Sequence, residues 1–114
     1  MPKSTKLSIR LDLPNGTRFG PGKAALLEEI SKNGSISAAS KTLGMSYPRA
    51  LRLVNELNTQ FSEPLISKFQ GGANRGGATL TALGNQVLVS YHDISKLSAT
   101  AAASKLRSVS RLSS

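Results

Sequence analysis

The chain has 114 residues and a formal net charge of +9, with 15 Lys and Arg against six Asp and Glu. Its length allows one domain with a modest core, and its charge favours a polyanionic partner, either nucleic acid or an anionic membrane surface. With no cysteine and the single histidine His92, zinc fingers and disulfides are excluded, and no metal or cofactor is expected.

The apolar residues occur in short runs. No stretch approaches the eighteen or so residues needed to cross a bilayer, and the N-terminus lacks the apolar core and cleavage site of a signal peptide. We therefore expect a cytoplasmic protein with no membrane partner.

The first third of the chain is predicted to form a small hairpin and a helix. Residues 7–13 (LSIRLDL) alternate between apolar and polar, as in a strand with one buried face. Turn residues follow at 14–16, and 17–19 is a short return strand. Helical spacing of apolar residues over 23–32 then predicts a helix of about three turns.

Two further helices follow in quick succession. Ser35 or Ser37 can cap a short second helix that ends at Gly44. Ser46 can cap a third helix that runs to about Phe61. The segment from Ser35 to Phe61 therefore reads as helix, glycine turn, helix.

The second half of the chain is predicted to contain a hairpin and a long helix. Strands at 65–70 and 79–80 flank the glycine-rich segment GGANRGGA, residues 71–78. A helix is expected over 82–103, followed at 104–114 by a basic, serine-rich tail. The tail is either the frayed end of that helix or a disordered arm.

This order of elements is that of a winged helix-turn-helix, so the predicted fold is mainly α with a small β component and one domain over 1–103. The long last helix carries an apolar stripe that needs a partner. The stripe consists of Leu83, Val87, Tyr91, Ile94, Leu97 and Ala101.

In this fold the third helix enters the major groove of DNA. Steps of 100° place Ala50, Val54, Leu57 and Phe61 on one side of that helix. The same steps place Pro48, Arg52, Asn55 and Thr59 on the other side. Arg52 suits guanine and Asn55 suits adenine, with Arg49 beside them. The alternative is that these side chains are merely solvated.

Other candidate DNA contacts lie at helix starts and in the hairpin. The hydroxyls of Ser35 and Ser46 are expected to cap helices rather than to bind phosphate. Tyr47 either reaches the DNA backbone or packs in the core. Lys68 can touch phosphate and Arg75 can enter the minor groove, unless the hairpin tip is an ordinary flexible loop.

The segments SISAASKTLGMSYPRALRLVNELN and PLISKFQGGANRGGATLTALG resemble the DNA-binding domain of the molybdate-responsive ModE-type regulators, over roughly residues 7–100. The first segment also resembles the LysR-type pattern GS-x-x-x-AA-x-x-LG-x-S-x-P, with Ser40 replacing the second Ala. Pro48 is closer to the LysR type, whereas the glycine-rich hairpin and the N-terminal strand favour the ModE type.

The ModE resemblance implies base or backbone contacts for Tyr47, Arg49 and Arg52, and a wing over 71–77. It also implies a homodimer joined through the N-terminal strand region and the last helix. ModE regulators have an oxyanion-binding region after that helix. The sequence ends at Ser114, so we do not expect molybdate or another small molecule to be bound.

The sequence therefore predicts a homodimeric, sequence-specific transcriptional regulator that binds double-stranded DNA. The alternative is a winged-helix protein-interaction module without specific DNA binding, because fold does not fix function. An enzyme is not expected. Neighbouring helical residues such as His92 and Asp93 do not face each other, and no nucleophile is paired with the imidazole.

Overall fold

A computed structural model describes residues 4–70 and 76–114. Within them the chain forms mostly helices, with two small antiparallel sheets, so the predicted fold class is confirmed. The elements are β1 (Leu11–Asp12), β2 (Arg18–Phe19), α1 (Pro21–Asn33), α2 (Ile36–Leu43), α3 (Tyr47–Gln60), β3 (Ile66–Gln70), β4 (Gly76–Leu80), α4 (Ala82–Ala101) and α5 (Ala103–Leu112). β1 pairs with β2, and β3 with β4.

The N-terminal segment is extended, but its paired part is shorter than the predicted strand. Burial alternates along residues 7–13 as expected, with the apolar side chains partly buried and the polar ones exposed. β1 covers only two residues because β2 offers only two partners. Before β1, the carbonyl of Ile9 accepts a hydrogen bond from the hydroxyl of Tyr91 at 2.7 Å. The side chain of Tyr91 in α4 therefore supplies a hydrogen bond that a neighbouring strand would otherwise supply.

The helix starts follow the predicted capping residues. The hydroxyl of Ser35 accepts the amide of Ala38 at 2.9 Å, and that of Ser46 accepts the amide of Arg49 at 3.2 Å. Each bond satisfies an amide that has no acceptor within its helix. Gly44 ends α2 with a φ of 68°, a conformation that glycine adopts without strain.

The core lies where the first three helices meet the β3–β4 sheet. Its members come from every part of the chain between β2 and α4. They are Phe19, Ala24, Leu26, Leu27, Ile30, Ile36, Ala39, Ala50, Val54, Leu57, Leu65, Ile66, Ala78, Leu80, Leu88 and Tyr91. Burying this apolar surface is the main stabilising contribution to the fold.

The start of α4 lies directly against the start of β3. Thr81 caps α4 by accepting the amide of Gly84 at 3.0 Å, while its own hydroxyl donates to the carbonyl of Pro64 at 2.8 Å. A Cβ placed on Gly84 would overlap the carbonyl oxygen of Leu65. Glycine is therefore required at position 84 by this close contact.

The long C-terminal helix is divided. α4 ends at Ala101, and α5 continues from Ala103 through most of the segment predicted as a tail. The N-terminal segment runs beside α5, where the hydroxyls of Thr5 and Ser110 are 2.6 Å apart. Within residues 4–70 and 76–114, no helix is both long and apolar enough to cross a membrane.

Candidate nucleic-acid interface

The two sides of α3 differ as the sequence predicts. Ala50, Val54 and Leu57 are fully buried, and Phe61 is half-buried with its ring 6.3 Å from that of Phe19. The opposite side is exposed and consists of Pro48, Arg52, Asn55 and Thr59, with Arg49 exposed beside it. We call Arg49, Arg52 and Asn55 the outer face of α3.

The outer face of α3 is positively charged. In the part of the chain that the structure describes, neither Arg49 nor Arg52 forms an ion pair with a carboxylate, and the first turn of α3 contains no acid. Both guanidinium groups therefore retain their donors for an external acceptor. Such groups bind phosphates and the guanine edge in two-bond geometry.

Asn58 joins α3 to β3, a positioning role that the sequence did not predict. Its side-chain oxygen accepts the backbone amides of Leu65 and Ile66, both at 3.0 Å, and its side-chain amide donates to the carbonyl of Ile66, also at 3.0 Å. These three bonds fix the position of β3 relative to α3. No sequence signal marks this residue, since an asparagine near a helix end usually indicates only a turn.

We call the β3–β4 sheet the wing. Its second strand is tied to the turn between α1 and α2, because the amide of Ala78 donates to the carbonyl of Gly34 at 2.9 Å. The wing is thus attached on one side to α3 and on the other side to the start of α2. This arrangement places it beside the N-terminal ends of α2 and α3.

A groove of about 410 Å³ lies between the wing and these helix ends, and we call it the wing groove. Tyr47 and Lys68, both predicted DNA contacts, line it together. Tyr47 is 46% exposed, so of the two predicted positions for this side chain the solvent-facing one is observed. Ser35 also lines the groove, but its hydroxyl is the cap of α2.

Arg75 and Ser46 are two other predicted DNA contacts outside the outer face of α3 and the wing groove. Arg75 and residues 71–74 before it lie outside the described residues. Ser46 is exposed at the start of α3 with its hydroxyl engaged as the helix cap, in agreement with the expected capping role. The structure therefore brings Tyr47 and Lys68 together at one groove, beside the outer face of α3.

No cluster of three His, Cys, Asp or Glu residues that could hold a metal ion occurs in the described ranges 4–70 and 76–114. His92 lies 2.9 Å from a carboxylate oxygen of Glu28, which links α4 to α1 on the exposed surface. This contact is a surface link between two helices and lies outside the wing groove.

The comparisons with known proteins agree with this geometry. The family model described as bacterial regulatory helix-turn-helix protein, lysR family, matches residues 23–85, which is more than half of the chain. The chain belongs to this family. The match begins in α1 and ends in the first turn of α4, so it includes the helix-turn-helix and the wing.

Curated relatives confirm the resemblance of this lysR-family chain to ModE-type regulators. The molybdenum-pterin-binding protein MopB of Rhodobacter capsulatus is 38% identical over 76 residues, which cover 67% of this chain and 28% of MopB. The transcriptional regulator ModE of Yersinia pestis is 36% identical over 86 residues, which cover 75% of this chain and 33% of ModE. The chain thus spans about a third of the length of these relatives.

A solved structure confirms the fold of this lysR-family chain. A chain in the crystal structure of the CbnR_DBD–DNA complex matches with a TM-score of 0.59 and 20% identity, over 77% of this chain and 95% of that one. At this identity the likeness concerns the fold alone. The fold is a winged helix-turn-helix, as the order of elements predicted.

Proposed function

We propose that this chain is the DNA-reading part of a transcriptional regulator that binds a specific double-stranded DNA sequence. The observation that carries the proposal is the outer face of α3, where Arg49, Arg52 and Asn55 are exposed on the helix that a winged helix-turn-helix inserts into the major groove. The net charge of +9 supports the same partner, since phosphate contacts supply much of the affinity of such proteins.

Some of these residues would recognise the base sequence, and others would position α3 on the duplex. Arg52 and Asn55 would contact base edges, because a guanidinium matches guanine and a carboxamide matches adenine. Arg49, Tyr47 and Lys68 would bind the sugar-phosphate backbone and so fix the orientation of α3 in the groove. Arg75 would act in the minor groove.

The regulator would act as a homodimer. Support comes from α4, whose predicted apolar stripe is buried or half-buried up to Tyr91 and then becomes exposed. Ile94 is 39% exposed and Leu97 is 70% exposed, and such side chains on one helix face are typical of an interface. A two-fold dimer would place two copies of α3 in major grooves about 34 to 36 Å apart on a roughly palindromic site.

The relatives support this proposal, since ModE of Yersinia pestis is a transcriptional regulator. We propose that this chain, too, acts on DNA in the cytoplasm, and that its activity is binding without catalysis.

The deciding experiment is the selection of bound fragments from the source organism's genomic DNA, followed by a titration of the enriched duplex and a scrambled duplex by fluorescence anisotropy. We expect an enriched palindromic sequence that is bound at least tenfold more tightly than the scrambled one. The protein-interaction alternative would replace the proposal if no duplex bound below the micromolar range at moderate salt.

A further inference from the structure

The third helix ends differently from the first two. α1 and α2 are each followed by a glycine with a positive φ, Gly34 and Gly44, whose amide bonds to a carbonyl of the preceding helix. α3 is followed by Phe61 in an extended conformation, and its last turn, residues 57–60, contains no basic side chain. The last carbonyls of a helix have no donor within that helix. Those of α3 therefore depend on donors from other parts of the chain.

The N-terminal hairpin supplies one of these donors. The turn between β1 and β2 carries Asn15, whose side-chain amide donates to the carbonyl of Gln60 at 2.9 Å. The side-chain oxygen of Asn15 accepts the amide of Thr17, also at 2.9 Å, so the carboxamide is fixed within its own turn. Two backbone bonds between Leu13 and residues 16 and 17 close the turn. A well-ordered turn thus caps the end of α3.

Lys23 in α1 adds a second contact to the same helix end. Its ammonium donates to the carbonyl of Arg18 in β2 at 2.8 Å and to the side-chain oxygen of Gln60 at 3.3 Å. Positive charge is favoured near the C-terminal end of a helix, because the last carbonyls make that end negative. We call the contacts of Asn15 and Lys23 with Gln60 the hairpin clamp.

Aromatic rings connect the clamped end of α3 to α4. The ring of Phe19 lies 6.3 Å from that of Phe61 and 5.3 Å from that of Tyr91, both in edge-to-face geometry. Tyr91 in turn donates to the carbonyl of Ile9, ahead of the hairpin. The hairpin is therefore attached both to the end of α3 and to α4, the helix proposed to join the two subunits.

We propose that Asn15 and Lys23 are positioning residues for sequence reading, and that the hairpin clamp holds α3 in the orientation in which Arg52 and Asn55 meet the bases. This inference rests on the proposed function, because it concerns how α3 is presented to DNA. Gln60 follows Asn55 by about 7.5 Å along the helix axis, so a shift of the clamped end moves the reading side chains. Contacts to base edges depend on their geometry, whereas phosphate contacts carry no sequence information.

The test compares two variants of the clamp with one control. In Asn15→Asp a carboxylate oxygen still accepts the amide of Thr17, but the donor to Gln60 is lost. Lys23→Met keeps the aliphatic stem and removes the ammonium. Ser62→Asp is the control, because residue 62 is exposed beside the same helix end and the variant lowers the net charge by the same amount as the other two. Each protein is checked by circular dichroism and titrated with the selected and the scrambled duplex.

Asn15→Asp and Lys23→Met should each lower the ratio of the two affinities about three- to tenfold, the value expected for one hydrogen bond. Ser62→Asp should leave the ratio unchanged, since a loss of positive charge weakens binding to both duplexes alike. Asn15→Asp combined with Arg52→Ala should lose less than the two single losses together, because both changes act on the same base contact.

An unchanged ratio in a folded Asn15→Asp protein would overturn the inference, even if its stability falls, because the residue would then support only the fold. If Asn15→Asp does not fold, Lys23→Met decides in the same way. An equal drop of the ratio in Ser62→Asp would also overturn the inference, because charge would then explain the effect. Failure of the wild-type chain to bind any duplex would instead overturn the proposed function.

Discussion

The carboxamide of Asn58 and the backbone of Ile66 form a two-way contact, in which the side-chain oxygen accepts one hydrogen bond and the side-chain amide donates another, both at 3.0 Å. Asn58→Ala would leave backbone groups of two buried residues without partners. We expect the free energy of unfolding to fall by about 1 to 3 kcal/mol. Urea unfolding followed by circular dichroism measures this change.

Asn55→Ala is the matched control for that variant, because the residue lies one turn earlier on the same helix and is exposed. Its free energy of unfolding should stay within about 0.5 kcal/mol of the wild-type value. It should, however, weaken binding to the selected duplex. Equal stability losses in the two variants would contradict the structural role of Asn58.

Gly84→Ala should be destabilising, because the added Cβ overlaps the carbonyl oxygen of Leu65 and α4 must move away from β3. Overpacking of this kind costs about 1 to 3 kcal/mol. Gly22→Ala is the control, since a Cβ there meets open space in the first turn of α1. It should leave stability unchanged or raise it by up to about 1 kcal/mol. Thermal unfolding of both variants distinguishes close contact from helix propensity.

Arg52→Ala should cost about 1 to 3 kcal/mol of binding free energy on the selected duplex and should reduce the preference for it over the scrambled one. Folding should be unaffected because the side chain is exposed. Arg107→Ala removes the same charge from α5, and it should leave the ratio of the two affinities unchanged. If Arg52→Ala also leaves that ratio unchanged, the residue contacts the backbone and not a base.

Leu97→Glu should convert the proposed dimer into a folded monomer, because a carboxylate would enter an apolar interface without a partner. Sedimentation velocity at micromolar concentration measures the change in mass. Lys96→Glu changes the net charge more than Leu97→Glu does. Residue 96, however, lies on the side of α4 opposite the apolar stripe, so this control variant should remain dimeric. A dimeric Leu97→Glu protein would show that the subunits meet elsewhere.

Local patterns were sufficient to predict most elements of this fold. The caps Ser35 and Ser46 act on neighbouring amides, and the buried side of α3 follows from spacing along one helix. The alternation over 7–13 correctly predicted which side chains are partly buried. It overestimated the strand, because pairing depends on a partner that is distant in sequence, and there the hydroxyl of Tyr91 bonds to the backbone of Ile9 instead.

The contacts that position the candidate site could not be predicted from local sequence patterns. Asn58 bonds to residues of another element, and nothing in its sequence neighbours distinguishes it from an ordinary turn residue. Gly84 is the last residue of the segment PLISKFQGGANRGGATLTALG, which carries the family resemblance, but the reason for the glycine is its close contact with Leu65, a residue of another part of the chain. The outer face of α3 could be predicted because the spacing of apolar residues along this one helix indicates which side is buried and which is exposed.

The attachments of the wing also bear on how this protein avoids self-association through its strands. A two-stranded sheet has two open edges, and unpaired edge amides and carbonyls are templates for strands from other molecules. Asn58 occupies the outer edge of β3 at Ile66, and Gly34 occupies the outer edge of β4 at Ala78. The base of the wing is therefore closed on both sides by the body of the same chain, so loss of Asn58 would open an aggregation-prone edge as well as weaken the fold.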